Sequence, residues 1–149
     1  MTLHQQDFLM RQIQHLTQIL QQIIFKKNQN KQQEAVDEIQ DAFQQLTRDH
    51  PKELHELSLE QTLTIFERRG KFQAELALAV ADLLVEKANI LENAFSQSQK
   101  SYAQALLLYR TARKDDDAAV PLDIEQSIQQ LNEKLVHSDY ITQINQLLE

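Results

Sequence analysis

The chain has 149 residues, 42% of them hydrophobic, with one Gly, two Pro, no Cys and a formal charge of −7. That length suits one domain with a real core, and so little Gly and Pro argues against strands joined by tight turns. The missing Cys excludes disulfides and thiolate sites. Residues 1–75 carry nine Lys/Arg against eleven Asp/Glu and residues 76–149 six against eleven, which argues against sequence-independent binding of nucleic acid.

The first apolar positions, Leu9, Ile13, Leu16, Leu20 and Ile23, step by four, three, four and three. This is the heptad-like seam of a long amphipathic helix, predicted from about Leu3 to Lys27. Gln, Asp, Arg and His interrupt its apolar residues, unlike the compact apolar region of a signal peptide. No stretch reaches the length of a membrane span. A cytoplasmic protein without membrane contact is the expectation, and the seam also suits a homodimer. The many Gln residues read as solvated helix surface, since Gln favours helix and keeps a face polar without charging it.

Helix starts carry a repeated signal. A capping residue followed three positions later by Gln occurs at Thr2/Gln5, Asn30/Gln33, Ser58/Gln61, Ser96/Gln99 and Asp123/Gln126. The first side chain can accept from an N–H of the first turn while the Gln reaches back to the cap. The second predicted helix, from about Lys31 to Asp49, puts Val36, Ile39, Phe43 and Leu46 on one face. Pro51 biases His50 away from helical geometry and ends it, and a short helical turn is expected around Lys52–Leu57. The third helix runs from Leu59 to about Arg69. Two cations suit the negative end of its dipole and Gly70 suits the left-handed position beyond.

The fourth helix, about Lys71 to Ala94, differs in kind. Its polar residues Glu75, Asp82, Glu86, Asn89 and Asn93 step by seven, four, three and four, which confines them to one narrow strip. A helix apolar around most of its circumference belongs in the middle of a fold. The fifth, about Gln97–Lys114, turns Tyr102, Ala105, Leu106, Tyr109 and Ala112 inward. Residues 115–123, with three consecutive Asp and Val120 before Pro121, form an acidic loop. A sixth helix with Ile124, Ile128, Leu131 and Leu135, and a last one capped by Ser138, complete a C-terminal capping unit over 124–149. The whole of 1–149 reads as a single all-α domain of about seven helices, with residues 1–114 as its core.

Two stretches share one packing device. Ala35, Ile39 and Ala42 in the second helix have the spacing of Ala105, Tyr109 and Ala112 in the fifth. Small residues let a helix approach its hairpin partner closely while the larger one fills the gap. The pattern resembles the second-helix signature of tetratricopeptide (TPR) repeats. The copies start 70 residues apart (105 − 35), so they describe a repeat-like fold and not a regular array. The order of features from FLMRQIQHLTQIL through GKFQAELALAVADLLVEKANILE to YAQALLLY is similar to a bacterial family of uncharacterised domains with a TPR-like helical fold. That resemblance implies a superhelix of stacked hairpins around a long central fourth helix. It implies no activity and no catalytic residues.

Candidate chemistry is sparse. The cluster His50, Glu53, His55 and Glu56 is spaced H-x-x-E-x-H, which puts the two His about 140° apart on a helix. Zinc helices carry His at i and i+4 or the H-x-x-E-H arrangement, so an exposed linker is the reading and no metal or cofactor is expected. No phosphate loop, nucleophile elbow or Cys nucleophile is present, which points away from an enzyme. His4 and His15 lie far apart on the first helix, and His137 lies at a helix end. The basic groups Lys26/Lys27/Lys31, Arg68/Arg69/Lys71 and Arg110/Arg113/Lys114 sit at predicted helix C-termini, where the dipole accounts for them. The strip Glu75, Asp82, Glu86, Asn89 and Asn93 is the candidate partner-binding surface, as the lining of a groove that selects cationic or amide-rich peptide. Three functions follow in order: a non-catalytic protein–protein interaction scaffold, a self-associating helical module, and an enzyme or small-ligand binder with an inter-helical pocket.

Overall fold

In the computed structural model, residues 3–149 are described, with side chains from Gln6 onward. The Thr2/Gln5 cap and the His4 side chain lie outside the described residues. The all-α expectation holds: seven helices make up nearly all the regular structure described. Helix α1 covers Leu3–Asn28 and α2 Gln32–Leu46, with a 3-10 turn at Leu54–Glu56 and a short α3 at Leu59–Thr64. Two-residue strands β1 (Glu67–Arg68) and β2 (Lys71–Phe72) precede α4 (Ala74–Ile90). Helices α5 (Phe95–Arg113), α6 (Ile124–Lys134) and α7 (Tyr140–Leu147) follow.

The α1 seam is used inside the fold. Leu16, Ile19 and Ile23 are buried and Leu9, Ile13 and Leu20 pack partly against the core, where α1 meets α2 and α4. The chain leaves α1 through a Schellman motif: the Lys31 N–H donates to the Lys26 carbonyl (2.8 Å) and the Asn30 N–H to that of Lys27 (3.2 Å). Asn30 takes the left-handed conformation at φ 60°, which Asn tolerates better than most residues. Asn30 therefore closes α1 and does not open α2, whose N-cap is Lys31.

Among the expected caps, Ser58/Gln61 forms the full box. The Gln61 N–H donates to Ser58 Oγ (3.1 Å) and the Ser58 N–H to Gln61 Oε1 (3.0 Å). Asp123 occupies the N-cap of α6 without a side-chain cap bond. Helix α5 begins at Phe95, so Ser96 lies within its first turn. At the last helix Asp139 is the N-cap, and Ser138 Oγ accepts from the Tyr140 N–H (3.0 Å). Ser/Thr/Asn and Gln three apart are common in a Gln-rich chain, and only position relative to the true helix end makes them a cap.

The third helix is shorter than expected. It ends at Thr64, and Ile65 to Phe72 turn back as a hairpin with Glu67 opposite Phe72 and Arg68 opposite Lys71. Arg69 (φ 56°) and Gly70 (φ 77°) are both left-handed, the requirement of a type I′ two-residue turn. Gly70 thus serves a strand reversal, not a helix C-cap. Arg68, Arg69 and Lys71 consequently lie on the hairpin, away from any helix C-terminus. Phe66 is fully buried, and its ring stands 6.2 Å from that of Phe72.

Helices α4 and α5 form the most extensive contact. Helix α4 buries residues around most of its circumference, as expected, but α5 matches it: every residue from Ser101 to Tyr109 is buried. The centre is therefore an antiparallel pair. Helices α1 and α2 cover α4, while α3, α6, α7 and the 3-10 turn cover α5. Ala35, Ile39 and Ala42, like Ala105, Tyr109 and Ala112, are all buried, each triplet within a helix that packs on its hairpin partner.

Candidate functional site

The polar strip of α4 meets neighbouring helices along most of its length. Tyr109 Oη donates to Asp82 Oδ1 (2.5 Å) and Tyr102 Oη to Asn89 Oδ1 (2.6 Å). These two rungs, one heptad apart on both helices, fix the register of the central pair. Glu86 pairs with Lys27 of α1 across 3.2 Å. Glu75 is exposed and accepts from the Ala119 N–H at 3.5 Å, at the edge of a shallow hollow beside the acidic loop. Asn93 is exposed past the end of α4. Burial raises the Asp82 carboxyl above its ordinary range, and the Tyr109 hydrogen bond opposes that only in part. Burial first, and the Asp82 charge second, hold the Tyr109 hydroxyl protonated.

The other clusters are likewise engaged. Lys26 pairs with Glu38 on α2. Arg113 grips both oxygens of Glu125 (3.0 and 2.9 Å), Arg110 donates to Asn145 Oδ1 (2.7 Å), and Lys114 to the Leu148 carbonyl (3.0 Å). These contacts tie the C-terminal helices to α5. In the 50–56 segment, ligand atoms of Glu53, His55 and Glu56 lie within 4.8 Å of one another. His50 is elsewhere, its Nδ1 accepting from the Lys52 N–H (3.1 Å). Glu56 Oε1 accepts from the Glu53 N–H (3.2 Å) and Glu53 Oε1 from Gln44 Nε2 (3.3 Å), so the carboxylates organise the 3-10 turn.

A different feature offers the better-formed concavity. A cleft of about 530 Å³ opens where α2, the 3-10 turn, the end of α4 and the start of α5 converge. Gln33, Val36 and Gln40 line it from α2, His55 from the turn, Lys87 and Leu91 from α4, and Gln97, Lys100 and Ser101 from α5. None of the five strip residues lines it. One wall is held by Gln104, whose Nε2 donates to the Leu54 carbonyl (2.8 Å) and to Thr62 Oγ1 (3.1 Å). Another is held by Ser98, whose Oγ donates to the Ala88 carbonyl (2.9 Å).

Lys87 is the unusual member. Only 6% of it is exposed. Its Nζ stands 5.9 Å from the Phe43 ring centroid, and among the described residues no hydrogen bond or ion pair reaches it. Buried cations ordinarily have partners. Burial pushes its ammonium below the ordinary lysine range; Glu53 opposes this and Lys100 adds to it. Lys100 is also lowered, by burial first and then by Lys52, with Glu56 opposing. The sequence held a signal for Lys87: it is the charged residue of α4 that lies off the polar strip. The cleft around it comes from segments far apart in sequence.

No protein family, curated protein or solved structure matches the chain. Among the described residues, no helix is long and apolar enough to cross a membrane.

Proposed function

We propose that the protein is a non-catalytic protein–protein interaction scaffold of TPR-like type, acting in the bacterial cytoplasm, with the cleft between its hairpins as the partner site. The observation that carries this reading is the amide lining. Gln33 and Gln40 from α2 and Gln97 from α5 face one cleft, and each primary amide both donates and accepts. Such a lining suits the backbone of an extended peptide segment. The twofold use of the Ala-x-x-x-φ-x-x-Ala device supports the hairpin stack. A photo-crosslinking residue at Gln97 tests it, with Gln18 on the outer face of α1 as control. Capture of one partner at Gln97 alone, lost when Ser96→Trp fills the cleft, is the expected result. Equal capture at both positions would remove the assignment.

A second reading, a small-ligand binder with an inter-helical pocket, is favoured by Lys87. A cleft of about 530 Å³ falls in the size range of small-molecule sites, and Lys87, mostly buried and without a hydrogen-bonded or ionic partner among the described residues, gives it one amine. Thermal-shift screening with small organic acids and carbonyl compounds tests this, since ligands of the native state raise the melting temperature.

A further inference from the structure

Resting on the second of these readings, we propose that Lys87 is a carbonyl-reactive amine, and that the cleft takes a small aldehyde or oxo acid with an anionic group, held as an imine on Lys87 Nζ and seated by Lys100.

The two lysines differ in a way that divides the labour. Lys87 is 6% exposed and without a hydrogen-bonded or ionic partner among the described residues. Burial favours the neutral, nucleophilic form of this amine, against the nearby Glu53 carboxylate, which favours the ammonium, and with a smaller push from Lys100. Lys100 is only half-buried on the same cleft, where its ammonium form would attract a carboxylate or phosphate. The Phe43 ring, 5.9 Å from Lys87 Nζ, makes a cation–π contact that favours the ammonium, so the neutral amine is supplied by burial in spite of it.

The chemistry balances without an oxidant or reductant. The neutral amine adds to the carbonyl carbon, and proton transfer gives a carbinolamine. Its hydroxyl then leaves as water, so amine plus carbonyl becomes imine plus water. Ser101 and Gln40 border the same cleft and supply a hydroxyl and an amide able to donate to the departing oxygen. Lys26 and Lys27, by contrast, are engaged by Glu38 and Glu86.

The test uses the full chain with glyoxylate near neutral pH, reduction by cyanoborohydride, and peptide mapping by mass spectrometry. Glycolate, the same acid without the carbonyl, is run beside it in thermal-shift measurements. The expected result is one dominant reduced adduct on Lys87, above that on every other lysine. Lys87→Met abolishes it, with the fold checked by circular dichroism. Lys100→Gln lowers the yield with glyoxylate more than with uncharged acetaldehyde. Adducts spread evenly over the lysines would overturn the proposal, and the wild-type map gives that answer without any variant. If glyoxylate and glycolate stabilise the protein equally and no Lys87 adduct forms, the ligand pocket stands and the imine falls. If neither stabilises it and no adduct forms, both fall.

Discussion

The Tyr109 hydroxyl donates to Asp82 Oδ1 at 2.5 Å, and one heptad away Tyr102 does the same to Asn89 at 2.6 Å. The two rungs differ in charge alone, and the charged one lies in a site that burial makes unfavourable for a carboxylate. Tyr109→Phe leaves that carboxylate without its donor. A loss of about 1–3 kcal/mol is expected, measured by urea unfolding, with a smaller loss when Asp82→Asn is already present.

Asp82 also sets a pH dependence. Its carboxyl titrates higher in the folded chain than in the unfolded one, so between the two values the folded state binds more protons. Its contribution therefore weakens as pH rises from the unfolded value through the folded one. Asp82→Asn, which copies the Asn89 rung, should raise the melting temperature at neutral pH. The advantage should disappear below the unfolded carboxylate range, near pH 3.9.

Lys87 works in the opposite pH region. Its ammonium is lowered in the fold, so between the folded and unfolded values the unfolded chain binds more protons, and stability increases with pH across that window. Lys87→Met should remove this alkaline gain and raise stability at neutral pH, because an apolar side chain of similar length removes a buried charge. Melting curves of both proteins across the neutral-to-alkaline range check this.

The seam of α1 predicts a result that separates packing from association. Leu16 is 4% exposed, so Leu16→Lys places a charge in the core and costs several kcal/mol. Circular dichroism should show loss of the fold, whereas Gln18→Lys on the outer face should be nearly neutral. A Leu16→Lys chain that stayed fully helical while changing its sedimentation would contradict the packing described.

The Arg69–Gly70 turn is sensitive for reasons of backbone alone. Gly70 has φ 77°, and a methyl group added to its α-carbon would meet nothing beyond its chain neighbours within 4 Å. Gly70→Ala is therefore expected to cost about 1–2 kcal/mol from conformation and not from collision. Arg69→Asn should gain some tenths of a kcal/mol, since Asn tolerates φ 56° better than Arg. Thermal unfolding of the two variants, moving in opposite directions, is the check.

Helices with long, regular apolar patterns were legible in the sequence without any structure. The α1 seam, the nearly continuous apolar surface of α4 and the Ile124–Leu135 periodicity all mark faces that must be buried, and each formed where its spacing placed it. Local chemistry was less decisive. Asn30 and Ser96 carried valid caps, and Gly70 a valid helix stop, yet a Schellman turn, an earlier start of α5 and a type I′ hairpin took those places. Such alternatives differ by about 1 kcal/mol, and the burial of residues such as Phe66 outweighs them. Which polar residues of α4 found partners, and which were left over, depended on the packing of the whole chain. The strip reaches Tyr109, Tyr102 and Lys27 because two other helices approach it with matching donors. Lys87, one position past Glu86, points about 100° away, into a cleft built by segments spread between Gln33 and Tyr140. Periodicity along one helix gives the direction of a side chain; what that side chain meets depends on how the other helices pack around it.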